Sequence, residues 1–248
     1  MSSISRPRLV DPSTLPYVWR VEDLAAEETV LPSGHPLLDA QLPGGGWPVG
    51  SMVEVLQPRR EQHVWQLLLP ALVQAANRQA GPVVLVGAPC EPFGPSLRAQ
   101  GLPGERLLWV RTEKPAARLW ASEQALRCAD VAAVLAWLPQ AKSAERRRLH
   151  MAAQQHSRLL FVFRGMEARN DASPARLRLA VEGVDTLQLR ILKRRGPPLE
   201  TSLALPAYSP RLAALLEARR GRAAVLPSAP VIPLHRRSHV LDRTAALL

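Results

Sequence analysis

Gly45-Gly46-Trp47-Pro48-Val49-Gly50-Ser51-Met52-Val53-Glu54-Val55-Leu56-Gln57-Pro58-Arg59-Arg60-Glu61-Gln62-His63-Val64 is the stretch on which the fold turns. Pro43 to Gly50 reads as a tight loop, because glycine and proline are the strongest local breakers. Ser51–Val55 is a strand candidate, and the polar segment from Gln57 to Gln62 follows it. Next, Trp65, Leu68, Leu69, Leu72, Val73 and Ala76 fall at helical spacing over about His63–Gln79. Pro70 inside that helix lacks an N–H and is expected to kink or divide it.

The same alternation continues downstream. Pro82–Gly87, Leu107–Val110, Val131–Trp137 and Leu159–Phe163 are short apolar runs, as expected of strands buried on both faces. Helices are expected near Phe93–Gln100, from a Ser122 cap through Cys128, and from a Ser143 cap to about His156. Leu177–Val181 and Thr186–Lys193 close the series as a pair of strands. Alternation of this kind predicts an α/β fold, a mostly parallel sheet flanked by helices. Trp109 and Trp137, inside apolar strands, are expected in the core.

Three segments emerge: an N-terminal segment 1–30, an α/β domain 31–200, and a Pro/Arg-rich tail 201–248 with a short helix near 211–222. The tail keeps apolar residues between prolines over Leu226–Leu234 and ends on Leu247-Leu248. That pattern suits a segment that orders on a partner.

Charge is unevenly spread. The chain carries +11, and residues 142–178 hold nine basic against three acidic residues. Arg146, Arg147, Arg148, Lys193, Arg194, Arg195, Arg236, Arg237 and Arg243, with Asp242, are the candidate contacts to a partner or to DNA. The three consecutive arginines fan around a helix axis and predict a diffuse basic surface, with weak, salt-sensitive DNA binding and no base readout. An Arg-rich, merely solvated surface is the alternative. Cys90 and Cys128 have neither disulfide-framework nor metal-ligand spacing. No leader-like apolar region or span-length run occurs, so a cytoplasmic protein without membrane contact is expected.

In an α/β sheet the ligand sits beyond the carboxyl ends of the strands, which makes the first strand-to-helix loop decisive. A phosphate loop needs Gly, four residues, then Gly-Lys-Ser/Thr. Here the frame falls on Gln57, Gln62, His63 and Val64. Glutamine hinders the backbone curl that glycine permits, a neutral imidazole supplies little charge, and valine has no oxygen for Mg²⁺. The loop reads as degenerate. No cofactor and no ATP turnover are expected. His63, lacking an arranged carboxylate or cysteine, reads as a surface residue.

Ser33-Gly34, Leu38-Asp39, Gly45–Gly50 and Val53-Glu54-Val55 resemble the segment leading into the phosphate loop of RecA recombinases, which implies a RecA-like core. On that resemblance Leu135 stands where the acid ending the Walker B strand belongs. Arg164 and Gly165 stand at the sensing glutamine, and Pro89 or a neighbour at the catalytic glutamate. Within the RecA-like group, the basic, Leu/Ala-rich pattern, the Leu192–Pro197 junction and the tail His239–Ala245 are most similar to ImuA, a family often described as SulA-like. The resemblance implies a non-catalytic accessory protein of SOS-induced translesion synthesis and mutagenesis. It would bind RecA and the Y-family polymerase-like ImuB, and indirectly an error-prone C-family polymerase. A SulA-type division inhibitor acting on the tubulin-like division protein, or a residual ATPase with a divergent loop, are the alternatives.

Overall fold

A strand buried on both faces must be apolar at every position, and the central runs of this chain are. The computed structural model describes residues 29–58, 64–183, 186–197, 199, 201–206, 214, 217 and 218. The chain divides into two units, 1–207 and 208–248. In the second, the described residues 214, 217 and 218 are helical and exposed.

A small ribbon of β1 (Val30–Leu31) and β2 (Trp47–Pro48) precedes the main sheet, with α1 (Pro36–Asp39) between them. The alternating series is β3 (Ser51–Gln57), α2 (Val64–Arg78), β4 (Val83–Val86), α3 (Gly94–Ala99), β5 (Leu107–Val110), α4 (Pro115–Arg127), β6 (Ala133–Trp137), α5 (Ser143–Gln155) and β7 (Leu159–Gly165). It ends with β8 (Leu177–Glu182), β9 (Thr186–Lys193) and β10 (Leu203–Pro206). The eight-stranded sheet has the order β10-β9-β8-β3-β7-β6-β4-β5. From β8 to β5 every pairing is parallel, and β8-β9 and β9-β10 are antiparallel. The α/β expectation is met, with β7 lying between β3 and β6.

Alternation along each strand divides the core. Met52, Val84, Val86, Val134, Ala136, Leu160 and Val162 face Leu119 and Leu126 of α4 and Leu149 and Ala153 of α5. The intervening residues turn to the other face, where Trp47, fully buried, meets Phe161 edge-on with ring centroids 5.3 Å apart. α2 packs on β6 and on β1.

Several local expectations are corrected. Pro70 does not divide its helix: α2 runs unbroken through it. Pro70 is instead a packing surface for Gly34, whose φ is +83° and where an added Cβ would lie 2.3 Å from the proline Cβ. Ser122 is not a cap but a buried mid-helix residue, its hydroxyl donating to the Arg118 carbonyl at 2.8 Å. α4 starts seven residues earlier, at Pro115, where a missing N–H costs nothing. Ser143 is the first helical residue of α5, and the free N–H of Lys142 before it donates to Glu145 Oε2 at 2.7 Å. Trp109 is only half-buried, because β5 is the sheet's edge, and the Arg111 guanidinium lies 5.0 Å over its ring. Trp137 is core, stacked on Phe163 at 4.5 Å. Finally, β10 pairs with β9, so the sheet continues beyond residue 200 into the segment read as tail.

Candidate functional site

The crevice beyond the carboxyl ends of β3, β6 and β7 is where a parallel sheet offers a ligand site. Its described lining is Gln57, Trp137, Pro139, Phe163, Arg164 and Gly165, and it encloses about 10 Å³. A space of that size holds at most about one water molecule. The stacked Trp137 and Phe163 rings account for the filling. Leu135, at the expected acid position, has no solvent exposure and sits in register between Leu85 and Phe161. Gln57 ends β3 and is buried. Gln62 and His63 lie outside the described residues, as do Arg59 and Arg60; Val64 begins α2.

Under the crevice lies a charge cluster that sequence reasoning did not assemble. Glu54, in the middle of β3, has no solvent exposure. Its Oε2 accepts from Nε of Arg178, its Oε1 accepts from Nη1 of Arg164 at 3.4 Å, and Nε of Arg146 stands 3.9 Å from Oε1. Register explains the convergence, since Glu54 lies beside Arg178 on β8 and beside Val162 on β7, two residues before Arg164. Asp171 closes the cluster from the surface, accepting from Arg164 Nη2 at 2.8 Å. That hydrogen bond, with the charge of Arg164, holds the Asp171 carboxyl below its ordinary range. Further guanidinium protons go to carbonyls: Arg146 donates to Ala141 at 2.9 Å and Ala172 at 2.7 Å, and Arg178 to Ala168 at 2.8 Å, while Nε of Arg146 and of Arg164 find no partner among the described residues.

Arg146 therefore corrects the reading of a basic triplet on the surface. Only 3% of it is exposed, whereas Arg147 and Arg148 are exposed and Arg148 pairs with Glu123 at 3.0 Å. Burial, together with the like charge of Arg164, pushes the Arg146 guanidinium below its ordinary value. The signal available in the sequence was a glutamate inside Met52-Val53-Glu54-Val55-Leu56; a lone charge in an apolar strand needs buried partners.

Lys193, Arg194 and Arg195 do come together, joined by Arg176, around an open hollow of about 370 Å³. Arg236, Arg237, Asp242 and Arg243 lie outside the described residues. A second hollow, about 310 Å³, lies between the starts of α4 and α5 and is lined by Arg118, Lys142, Glu113 and Glu145 among others. Among the described residues no three His, Cys, Asp or Glu side chains gather as metal ligands. Among them, too, no helix is long and apolar enough to cross a membrane.

Residues 50–159 match the family described as cell division inhibitor SulA. The cell division inhibitor SulA of Edwardsiella piscicida is 34% identical over 107 residues, which are 43% of this chain and 64% of that protein. Protein ImuA of Caulobacter vibrioides is 32% identical over 130 residues, 51% of this chain and 53% of that protein. The cell division inhibitor SulA of Yersinia pestis is 31% identical over 116 residues, 46% of this chain and 68% of that protein. The chain thus spans less than two thirds of the Edwardsiella and Caulobacter proteins.

Proposed function

The chain belongs to the SulA-like family, which takes in proteins named ImuA, and from that premise we propose that it is a non-catalytic accessory protein of the DNA damage response. Its role is that of an adaptor in translesion synthesis, holding RecA and the Y-family polymerase-like ImuB. The observation that carries the non-catalytic part is the packing of Trp137 on Phe163 at the described edge of the crevice beside Gln57. Leu135 supports it, since a buried leucine cannot hold a metal-bound water. The loop residues Gln62, His63 and Val64, read as a degenerate phosphate loop, point the same way.

The adaptor role is tested by capture of purified RecA and ImuB on the immobilised full chain. Retention of both is the expected result, and failure to retain either refutes the role. ATP turnover is tested separately, with the expectation that Mg²⁺ and a fluorescent ATP analogue give no saturable signal.

The second reading is a division inhibitor acting on the tubulin-like division protein. Its specific support is that the family match over residues 50–159 and the Edwardsiella and Yersinia relatives carry that description. Filamentation of cells on overexpression, with inhibited polymerisation of the purified division protein, selects this reading over the first.

A further inference from the structure

α4 and α5 lie side by side on one face of the sheet, each running back from the carboxyl end of a parallel strand. Nε of Arg148 on α5 stands 3.0 Å from the Glu123 carboxylate on α4, which fixes where the two helices meet at the surface. Trp120 lies one turn before Glu123 and Met151 one turn beyond Arg148, so both belong to the outer face around that bridge. Trp120 is 64% exposed and Met151 57%, although the opposite sides of the same helices supply Leu119, Leu126 and Leu149 to the core. The hollow of about 310 Å³ opens at the starts of these two helices, and its lining includes the buried Leu119 and Leu138.

Charge surrounds the two apolar side chains. Glu123 also accepts from Arg127 Nη2 at 2.6 Å, so two guanidiniums share one carboxylate and the trio is net positive. Arg147, one turn before Met151, is exposed. At the hollow, Arg118 donates from Nε to the Thr112 carbonyl at 2.8 Å and from Nη1 to the Trp137 carbonyl at 3.3 Å. Glu113 and Glu145 share that lining, and Glu145 turns back to accept the Lys142 N–H at 2.7 Å. A tryptophan and a methionine ringed by arginines is the composition of a protein-docking surface, because Trp and Arg supply most hot spots and Met adapts to what it meets.

We propose that the outer face of α4 and α5 docks an acidic, amphipathic segment of another protein. The apolar side chains of that segment cover Trp120 and Met151, and its carboxylates meet Arg127, Arg147 and Arg148. Charge decides between occupants. A second copy presenting the same face would set arginine against arginine. The chain's own residues 211–248 hold seven arginines against two acids, again the wrong sign. Nucleic acid has the right sign but lacks the aliphatic groups that Met151 would cover. The inference adds a binding surface to the adaptor role and does not depend on which proteins fill that role.

The test selects from a displayed pool of random peptides of about 15 residues, long enough for four helical turns, on the immobilised full chain. Recovered peptides are resynthesised with a fluorescent label and titrated by anisotropy. They should carry Leu, Ile or Phe at helical spacing with Asp and Glu around them. Trp120→Ala with Met151→Ala should weaken their binding at least about tenfold. Arg147→Glu alone should weaken it in the same sense, with a smaller salt dependence. These three positions are exposed, so unfolding midpoints should match that of the unsubstituted chain. A photo-reactive phenylalanine analogue at Gln124, one turn beyond Trp120, should cross-link to the selected peptide. Recovery of no peptide, peptides without acidic enrichment, or binding indifferent to both variants overturns the proposal. Cross-linking to residues 211–248 of the same chain or to a second copy overturns it too, as does tighter binding of labelled single-stranded DNA that Trp120→Ala abolishes. Capture of RecA and ImuB by the unsubstituted chain is read separately, so its failure refutes the adaptor role and leaves this surface standing.

Discussion

The guanidinium of Arg178 donates through Nε to Oε2 of Glu54, a carboxylate with no solvent exposure that lies 124 residues earlier in the chain. Arg164 and Arg146 approach the same carboxylate, so one fully buried anion faces three nearly buried cations. Asp171, half-exposed at the rim, is the other acid of the cluster.

Glu54 is therefore the most sensitive position of this charge cluster. Removing one partner of a buried ion pair leaves an uncompensated charge and costs about 3–5 kcal/mol. Glu54→Gln should fall in that range in denaturant unfolding. Arg146→Met removes an excess cation whose Nε has no hydrogen-bond partner, and should cost clearly less. Equal losses for the two variants would refute this ordering.

The acid limb of stability belongs to His150. Its Nδ1 accepts the Met52 N–H at 3.2 Å, which requires the unprotonated nitrogen. Burial, then Arg176 and Lys193, depress its proton affinity in the fold below the ordinary value of 6.5. The unfolded chain then binds more protons than the fold just below pH 6.5, so stability is complete above that pH and falls as pH drops toward the folded value. His150→Gln keeps an acceptor for Met52 and should flatten the profile in that window. An unchanged profile would assign the acid limb elsewhere.

Trp137 both fills the crevice and stacks on Phe163 at 4.5 Å. Trp137→Ala should cost about 3–5 kcal/mol in thermal or chemical unfolding. The space it opens has no acid at position 135, so the variant should still show no Mg²⁺-dependent signal with a fluorescent ATP analogue. Saturable nucleotide binding would count against the accessory reading.

Gly34 has φ +83°, and its Cα hydrogen faces the Pro70 ring. Gly34→Ala combines left-handed backbone strain with a clash on α2, together about 2–4 kcal/mol. A midpoint temperature equal to that of the unsubstituted chain would refute the close packing.

Legibility differed by element. The strands at 83–86, 133–137 and 159–165 are visible in the sequence as apolar runs, and α2 as a repeat of Leu and Val, because each pattern is local. β10 was not legible. Leu203–Pro206 is four residues in a proline-rich stretch, and only its pairing with β9 makes it a strand. Trp109 was misplaced because an apolar strand at a sheet edge reads the same as one at its centre. At the site, Lys193 to Arg195 were legible as a basic run, but Arg176, which completes the hollow, comes from a different strand end.

Side-chain periodicity is a property of neighbours along the chain, so the order of strands and helices, and the parallel sheet that order demands, follow from residue spacing. That position 135 carries a leucine and not an acid is likewise written in one residue's chemistry. Burial is not local. Arg146 and Arg147 are adjacent and chemically identical, yet one is enclosed beneath the sheet and the other faces water. Their fates part only because β3, β7 and β8 bring Glu54 and two further guanidiniums to one side of α5, and desolvation depends on what the folded chain places around a charge.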